Sequence, residues 1–143
     1  MKRLVSAFLA GAMALSLAAC GEKEPDDTPS GYDDSLISEL YSEEGEYTDA
    51  ENNTLAYSYH VPRIMSETAV AAALNDEIAD QFGALVQEQK SMMAGRVSLT
   101  CLSVTWKSYW NDSLLCLVLT SEMDGDMTDY AVYSYDFFGG KRL

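Results

Sequence analysis

The sequence predicts an α+β domain, in which an antiparallel sheet of about four to five strands carries one long helix on one face. Two observations predict this class. Residues 67–93 contain no proline and repeat their apolar side chains every three to four positions, which is typical of an amphipathic helix. The segments before and after this stretch alternate apolar and polar side chains, which is typical of strands with one buried face.

The part before the helix contains a predicted hairpin. An apolar cluster at residues 36–41 is compatible with one or two helical turns or with the start of a strand. Residues 46–49 and 54–61 flank the turn-prone stretch 49–53. We expect Pro62 to end the second strand, because proline cannot donate a hydrogen bond to a strand ladder.

The helix is expected to begin at Ser66, whose hydroxyl can cap it, and to stop at Gly95. Glu67 suits the first turn, where the helix dipole favours a negative charge. The apolar stripe that should face the sheet consists of Val70, Leu74, Ile78, Phe82, Leu85 and Met92.

Three further strands are predicted at about residues 97–109, 114–121 and 129–137. In residues 114–119 both the odd-numbered and the even-numbered side chains are apolar, which predicts a central strand buried on both faces. Asn111-Asp112 and Asp124-Gly125 are the turn signals between these strands. Gly139-Gly140 should reverse the chain again, so that residues 141–143 begin another strand.

Cys101 and Cys116 are predicted to stay unbridged. In the predicted hairpin the position opposite Cys116 falls at residues 106–108, well away from Cys101. At about 3.4 Å per residue this offset is roughly 20 Å, whereas bridged Cα atoms lie within about 7 Å. Both cysteines are interpreted as small buried hydrophobic side chains.

The amino-terminal segment predicts export. Lys2 and Arg3 precede an uncharged run of apolar and small residues at 4–17. This run is shorter than the roughly 20 residues that a membrane-spanning helix needs, and it fits the apolar part of a secretory signal. Cys20 follows the run closely, and one interpretation is that the run is an ordinary secretory signal and that this cysteine is incidental.

The run ends in Leu17-Ala18-Ala19-Cys20, which resembles the lipobox of bacterial lipoproteins. The resemblance implies that residues 1–19 are a signal peptide and that Cys20 carries diacylglycerol as the first mature residue. Two acyl chains hold a protein stably at a membrane. The protein would then lie outside the cytoplasm, anchored to the outer face of the bacterial cell membrane. Residues 20–35 are predicted to form a flexible acidic tether, and residues 36–143 the folded domain.

The chain is strongly acidic, with 23 acidic residues, 9 basic residues and a net charge of −14. Such a charge repels phosphate backbones and anionic lipid, so no nucleic-acid partner is expected. It would attract a cationic partner, although solubility alone would also account for it.

No arrangement in the sequence predicts catalysis. There is no Gly-rich phosphate loop, no nucleophile elbow and only one histidine, His60, which we interpret as structural and half-exposed. Asp124, Asp126 and Asp129 lack the closing glutamate of a calcium loop and are interpreted as a solvated hairpin tip. We therefore expect a protein that is not an enzyme and that has no cofactor and no metal.

Aromatic residues on the predicted strands are the candidate binding residues. Some must pack under the helix, whereas those on the opposite face could form a surface for glycan stacking or protein contact. Burial in the core, or under a covering carboxyl-terminal part, is the alternative. The candidates are Tyr57, Tyr59, Trp110, Tyr133 and Tyr135.

From residue 47 to residue 143 the order of motifs resembles an extracellular domain of unknown function found in PdaC/RsiV-like proteins. The matching stretches are YSYHVPRI (57–64), LNDEIADQF (74–82), SYWNDSLLCLVLT (108–120) and YAVYSYDFFGGKRL (130–143). The resemblance implies a surface domain that binds or senses cell-wall glycan or a cationic wall-lytic protein such as lysozyme. As an alternative, the chain is the non-catalytic amino-terminal fragment of a peptidoglycan or polysaccharide deacetylase.

Two features depart from the family pattern. EMDGDMTDY (122–130) stands where many members have a Gly-Gly-Ala-His-like loop. Family members also usually continue with further strands and a helix beyond the last matching stretch. We therefore expect either a product truncated at its carboxyl end or a sheet that keeps an exposed edge.

Overall fold

Six strands and one long helix form the domain in the computed structural model, which describes residues 31–143. A short 3-10 helix (Asp34–Leu36) leads into β1 (Ile37–Thr48) and β2 (Thr54–Ile64). The long helix consists of α1 (Ala69–Ile78), a π-helical stretch (Ala79–Gly83) and α2 (Ala84–Ala94). The later strands are β3 (Cys101–Asn111), β4 (Leu114–Met123), β5 (Met127–Asp136) and β6 (Lys141–Arg142). The α+β class is confirmed, whereas Cys20, the signal peptide and most of the tether lie outside the described residues.

The strands lie in chain order across the sheet, and all neighbours are antiparallel except β2 and β3. These two strands are parallel and share only two residue pairs, Ser58 with Ser103 and Tyr59 with Val104. The prediction of a wholly antiparallel sheet was wrong at this point. The long helix carries the chain back to the end of the sheet where β2 begins, so β3 must run in the same direction as β2.

Strand β2 runs through Pro62 to Ile64, which is longer than predicted. Pro62 lies opposite Glu39, next to a bulge between Glu39 and Tyr41 in β1. A bulge interrupts the ladder, so the missing amide hydrogen of proline is tolerated there.

The helix is capped by Thr68 rather than by Ser66. The Thr68 side chain accepts a hydrogen bond from the Ala71 amide at 3.1 Å. The Tyr135 hydroxyl lies 2.7 Å from the Thr68 hydroxyl and 2.9 Å from the Ser66 hydroxyl. Gly95 follows the last helical residue as predicted, but the left-handed conformation falls on Arg96, with φ of 56°.

The π-helical stretch explains how the apolar stripe stays on the sheet. Leu74, Ile78, Phe82 and Val86 are all buried and follow one another at intervals of four residues. An α-helix has about 3.6 residues per turn and would rotate such a stripe away from the sheet, whereas a wider π turn corrects the phase. Val86 and Gln89 are therefore buried in the second half, and the predicted Leu85 and Met92 are only partly buried.

The core lies between the helix and one face of the sheet. In β4 the side chains of Leu115, Leu117 and Leu119 are buried on that face, whereas Cys116 and Val118 are half-exposed on the other. Strand β4 is interior, as predicted, but it is buried on only one face. Among residues 31–143 no helix or strand packs over the second face, which we call the outer face.

Both cysteines in this part of the chain are free, as predicted. Cys116 lies opposite Tyr109 rather than opposite residues 106–108, and Cys101 pairs with Met123. Cys101 is buried and Cys116 is only half-buried. The two thiols therefore lie at different levels of the sheet and on opposite faces.

Candidate functional site

Three of the five predicted binding residues lie in the core. Tyr59, Tyr133 and Tyr135 are buried, and Tyr133 and Tyr135 pair with the buried Leu117 and Leu115 of β4. Residues paired across antiparallel strands share a face, so these rings pack beneath the helix. They do not form the exposed aromatic surface that the sequence predicts.

The other two predicted residues are partly buried and have polar partners. Tyr57 stacks on Tyr59 with ring centroids 5.3 Å apart, and its hydroxyl donates to Glu43 at 3.1 Å. Trp110 packs on Phe137 at 5.5 Å, and its indole nitrogen donates to Asp34 at 2.8 Å. Tyr57 therefore links β2 to the adjacent β1, and Trp110 links β3 to the short helix that precedes β1.

The outer face exposes a different set of aromatic and apolar side chains. Tyr109 in β3 is 57% exposed, and Tyr130 and Val132 in β5 are 70% and 58% exposed. Cross-strand pairing places Lys107, Val118 and Val132 in one row of this face. The sequence places Tyr109 and Tyr130 on strands, and their parity is opposite to that of Trp110 and Tyr133. Strand periodicity separates the two faces of a strand but does not tell which face the helix covers. The sequence alone therefore does not show that Tyr109 and Tyr130 are the exposed residues.

An acidic groove lies at one end of the outer face. A row of paired residues runs from Glu44 in β1 through Ser58 and Ser103 to Glu122 in β4. With Glu46 they line an open groove of about 570 Å³, in which the Ser103 hydroxyl donates to Glu122 at 3.1 Å. Among residues 31–143 no Lys or Arg lines this groove, so its three carboxylates attract a positive group.

Another carboxylate of β1, that of Glu43, is already paired with a cation. Lys90 of α2 donates to Glu43 at 2.7 Å and to the Tyr41 hydroxyl at 2.8 Å. Chiefly because of the hydrogen bond from Lys90, and then that from Tyr41, the pKa of Glu43 is lowered to about 2. Glu43 therefore holds the helix to the edge strand and is not free to bind a ligand.

His60 is half-buried, as predicted, and lies in a small polar cluster. Its Nδ1 is 3.0 Å from Glu39 and 3.1 Å from the Ser42 hydroxyl. Trp106 of β3 donates its indole N–H to the same Glu39 oxygen at 3.3 Å. Burial raises the pKa of Glu39, but hydrogen bonds from Ser42, His60 and Trp106 outweigh it and lower the pKa overall. The cluster links β1, β2 and β3 by hydrogen bonds, so we interpret His60 as a structural residue.

Acidic side chains in the described part of the chain do not converge on a metal site. Among residues 31–143 no group of three or more His, Cys, Asp or Glu side chains is arranged to hold a metal ion. Asp124 and Asp126 lie in the turn between β4 and β5, where Asp126 adopts φ of 63°.

Within residues 31–143, no helix has both the length and the apolarity that a membrane crossing requires.

Neither a protein-family model nor any curated protein matches the chain in the comparisons. The resemblance to PdaC/RsiV-like proteins therefore stays a prediction based on the order of the motifs.

Proposed function

We propose that the protein is a lipid-anchored domain of the bacterial cell surface that binds or senses its ligand through the outer face of the sheet. The acidic groove is the observation that carries the proposal, because its three carboxylates lie together and no cation of the described part of the chain lines it. The lipobox ending at Cys20 supports a diacylglyceryl anchor and a position on the outer side of the membrane.

A cationic wall-lytic protein such as lysozyme is the ligand class that the charge favours. The net charge of −14 would steer a positive protein to the domain, and the groove offers it a local site. Cell-wall glycan is the second ligand class. Tyr130 lies in one row with Thr120 and Thr105, and Tyr109 is exposed farther along β3 on the same face. Exposed aromatic rings of this kind combine apolar contact area with a polar group.

The lysozyme version is tested by titrating the full chain, in detergent micelles, with lysozyme at low and high salt. We expect binding at low salt that weakens as salt is added, because salt screens exposed charges. The triple variant Glu44→Gln, Glu46→Gln, Glu122→Gln should weaken binding about tenfold at low salt, since it removes charge from the contact itself.

A matched control removes the same charge from the opposite side of the domain. Asp76→Asn, Asp80→Asn, Glu88→Gln changes exposed positions of the helix and should leave affinity within about twofold. The lysozyme version is overturned if nothing binds at low salt. Equal losses in the two triple variants would contradict a role for the groove and indicate attraction by net charge alone.

The glycan version predicts co-sedimentation of the chain with insoluble peptidoglycan. The double variant Tyr109→Ala, Tyr130→Ala should reduce the bound fraction, whereas Val97→Ala, at an exposed apolar position outside the sheet, should not. An unchanged bound fraction in the tyrosine variant would exclude these rings as the stacking surface.

A non-catalytic fragment of a polysaccharide deacetylase is the alternative proposal, and the order of the four matching stretches supports it. Under this proposal the chain alone does not deacetylate peptidoglycan. Release of acetate from peptidoglycan by the purified protein would contradict both proposals.

A further inference from the structure

Within the part of the chain that the structure describes, strand β5 has an open backbone edge along most of its length. Strand β6 pairs only with Tyr135 and Asp136, and the Leu143 amide donates to the Ser134 carbonyl at 3.3 Å. This hydrogen bond shows that the backbone groups of Ser134 point away from β4. Because a strand alternates the direction of these groups, those of Thr128, Tyr130 and Val132 point the same way. Within residues 31–143 no strand pairs with them on that side.

The two edges of the sheet differ in protection. The opposite edge strand, β1, carries Glu39, Glu43, Glu44 and Glu46 and is interrupted by a bulge. Acidic side chains and bulges are the usual means of preventing an edge from pairing with another chain. The corresponding stretch of β5 carries one charge, Asp129, and exposes Met127, Tyr130 and Val132. Strand β5 therefore lacks the protection that β1 has.

The charges around β5 indicate the sign of a partner. Strand β5 contains no basic residue, and Asp124 and Asp126 precede it in the turn from β4. Of the nearby cations of β6, Arg142 bonds Glu77 at 2.7 Å, and Lys141 is the register partner of Asp136. The pKa of Asp136 is lowered chiefly by a hydrogen bond from the Gly139 amide and least by the charge of Lys141. A basic strand would meet uncompensated carboxylates here, whereas a second copy of this acidic chain would be repelled.

We propose that an extended, basic segment of a partner protein adds to the sheet as a strand beside β5. This inference rests on the proposed function and identifies a second contact region for the cationic partner, besides the acidic groove. Backbone hydrogen bonds to Thr128, Tyr130 and Val132 would supply affinity, and alternate side chains of the added strand would supply specificity. The added strand would end near Asp124 and Asp126, at the turn.

The experiment measures amide hydrogen exchange of the full chain in detergent micelles, with and without an eight-residue probe peptide of alternating lysine and valine. We expect exchange at Thr128, Tyr130 and Val132 to slow at least tenfold at saturation, because these amides acquire acceptors. A peptide of alternating glutamate and valine should give no protection. The proposal is overturned by equal protection with both peptides, or by none with the basic one.

Two variants test the position of the contact. Val132→Pro removes one outward amide hydrogen, and Tyr130→Lys adds a repelling charge at an exposed position without removing a backbone group. Both should abolish the protection, whereas Tyr109→Lys, which makes the same change on the outer face away from the edge, should retain it. If Val132→Pro does not fold, Tyr130→Lys decides alone. Full protection in Tyr130→Lys would overturn the proposal.

Further outcomes separate this proposal from the function on which it rests. If lysozyme binds the chain but leaves the β5 amides unprotected, the proposed function stands and the edge proposal fails for that partner. If the basic peptide protects β5 while neither lysozyme nor peptidoglycan binds, the edge proposal stands and the ligand class is wrong. A concentration-dependent dimer that Tyr130→Lys abolishes would assign the edge to a second copy and overturn the proposal.

Discussion

Lys90 on the helix lies 2.7 Å from Glu43 on the edge strand β1, and its ammonium group also lies 5.3 Å from the centre of the Tyr41 ring. The contact joins the second half of the helix to the strand farthest from the open edge. Lys90 and Glu43 are 41% and 36% exposed, so solvent weakens their attraction.

Glu43→Gln should therefore lower the free energy of unfolding by about 1 kcal/mol or less at pH 7. The pKa of Glu43 is about 2 in the folded state, below the ordinary 4.5. A group with a lowered folded pKa stabilises the protein above its unfolded pKa and stops doing so as pH falls through the folded pKa. The difference between wild type and variant should thus shrink from about pH 4.5 towards pH 2 in urea titrations. A difference that is constant with pH would contradict the assignment, and Glu44→Gln is the neighbouring control.

Gln89 connects the helix to the start of β3. Its buried side-chain oxygen accepts from the Thr100 amide at 2.9 Å and from the Cys101 amide at 3.0 Å. Gln89→Leu leaves these donors without the acceptor and should cost about 1–3 kcal/mol of unfolding free energy. Urea denaturation measures this loss. The exposed Gln87→Leu should change stability by less than about 0.5 kcal/mol, and an equally small effect of Gln89→Leu would show that the bonds are dispensable.

The helix cap gives a third stability prediction. Thr68→Ala should lower the unfolding free energy by about 1 kcal/mol, because the Ala71 amide loses its acceptor. Thr68→Ser keeps the hydroxyl and should lose much less. If Ser66→Ala cost more than Thr68→Ala in thermal or urea unfolding, Ser66 would be the cap, as the sequence predicts.

The two thiols in the described residues should react at different rates. Burial raises the pKa of Cys101 to about 11, whereas Cys116 is only half-buried. Because the thiolate is the reactive form, iodoacetamide at pH 8 should label Cys116 in the folded protein and Cys101 only after unfolding. Mass spectrometry of the labelled peptides distinguishes the sites. Equal labelling of both in the folded state would show that Cys101 is accessible.

The proposed lipidation of Cys20 predicts that replacing this residue changes the subcellular fraction in which the protein is found. If the proposed diacylglyceryl group on Cys20 is the anchor, Cys20→Ser should move the protein from the membrane fraction to the soluble extracytoplasmic fraction and abolish incorporation of labelled palmitate. Cys116→Ser is the matched control and should incorporate the label normally. Membrane association that survives Cys20→Ser would contradict anchoring through this residue.

Local patterns predicted the elements better than their arrangement. The helix and the three strands after it could be placed because periodicity is a property of neighbouring residues. The parallel pairing of Ser58 with Ser103 depends on where the helix returns the chain, which no local pattern contains. The choice of Thr68 over Ser66 depends on where the chain turns into the helix, which is at Ala69; the Tyr135 hydroxyl of a distant strand lies within hydrogen-bond distance of both side chains.

The candidate surface was harder to predict for a related reason. The sequence shows that Tyr109 and Trp110 have opposite parity on one strand, but not which of them faces the helix. Trp110 turns inward because its partner Leu115 is buried under the helix, and Tyr109 is left outside opposite Cys116. The groove is likewise assembled from Glu44 and Glu122, which are far apart in the sequence and meet only through strand pairing.

The chain enters the domain at Tyr32, whose ring lies 6.0 Å from Phe137, beside the turn from β3 to β4. The opposite end carries the loops at 49–53 and 95–100 and the turn at 124–126, which are joined by hydrogen bonds from Ala50 to Arg96 and from Asp124 to Thr100. This end, which carries Glu51, Asp124 and Asp126, is therefore the end of the domain farthest from the point where the chain enters it. If the proposed anchor on Cys20 holds the protein, the acidic end is the part of the domain that can reach farthest from the membrane.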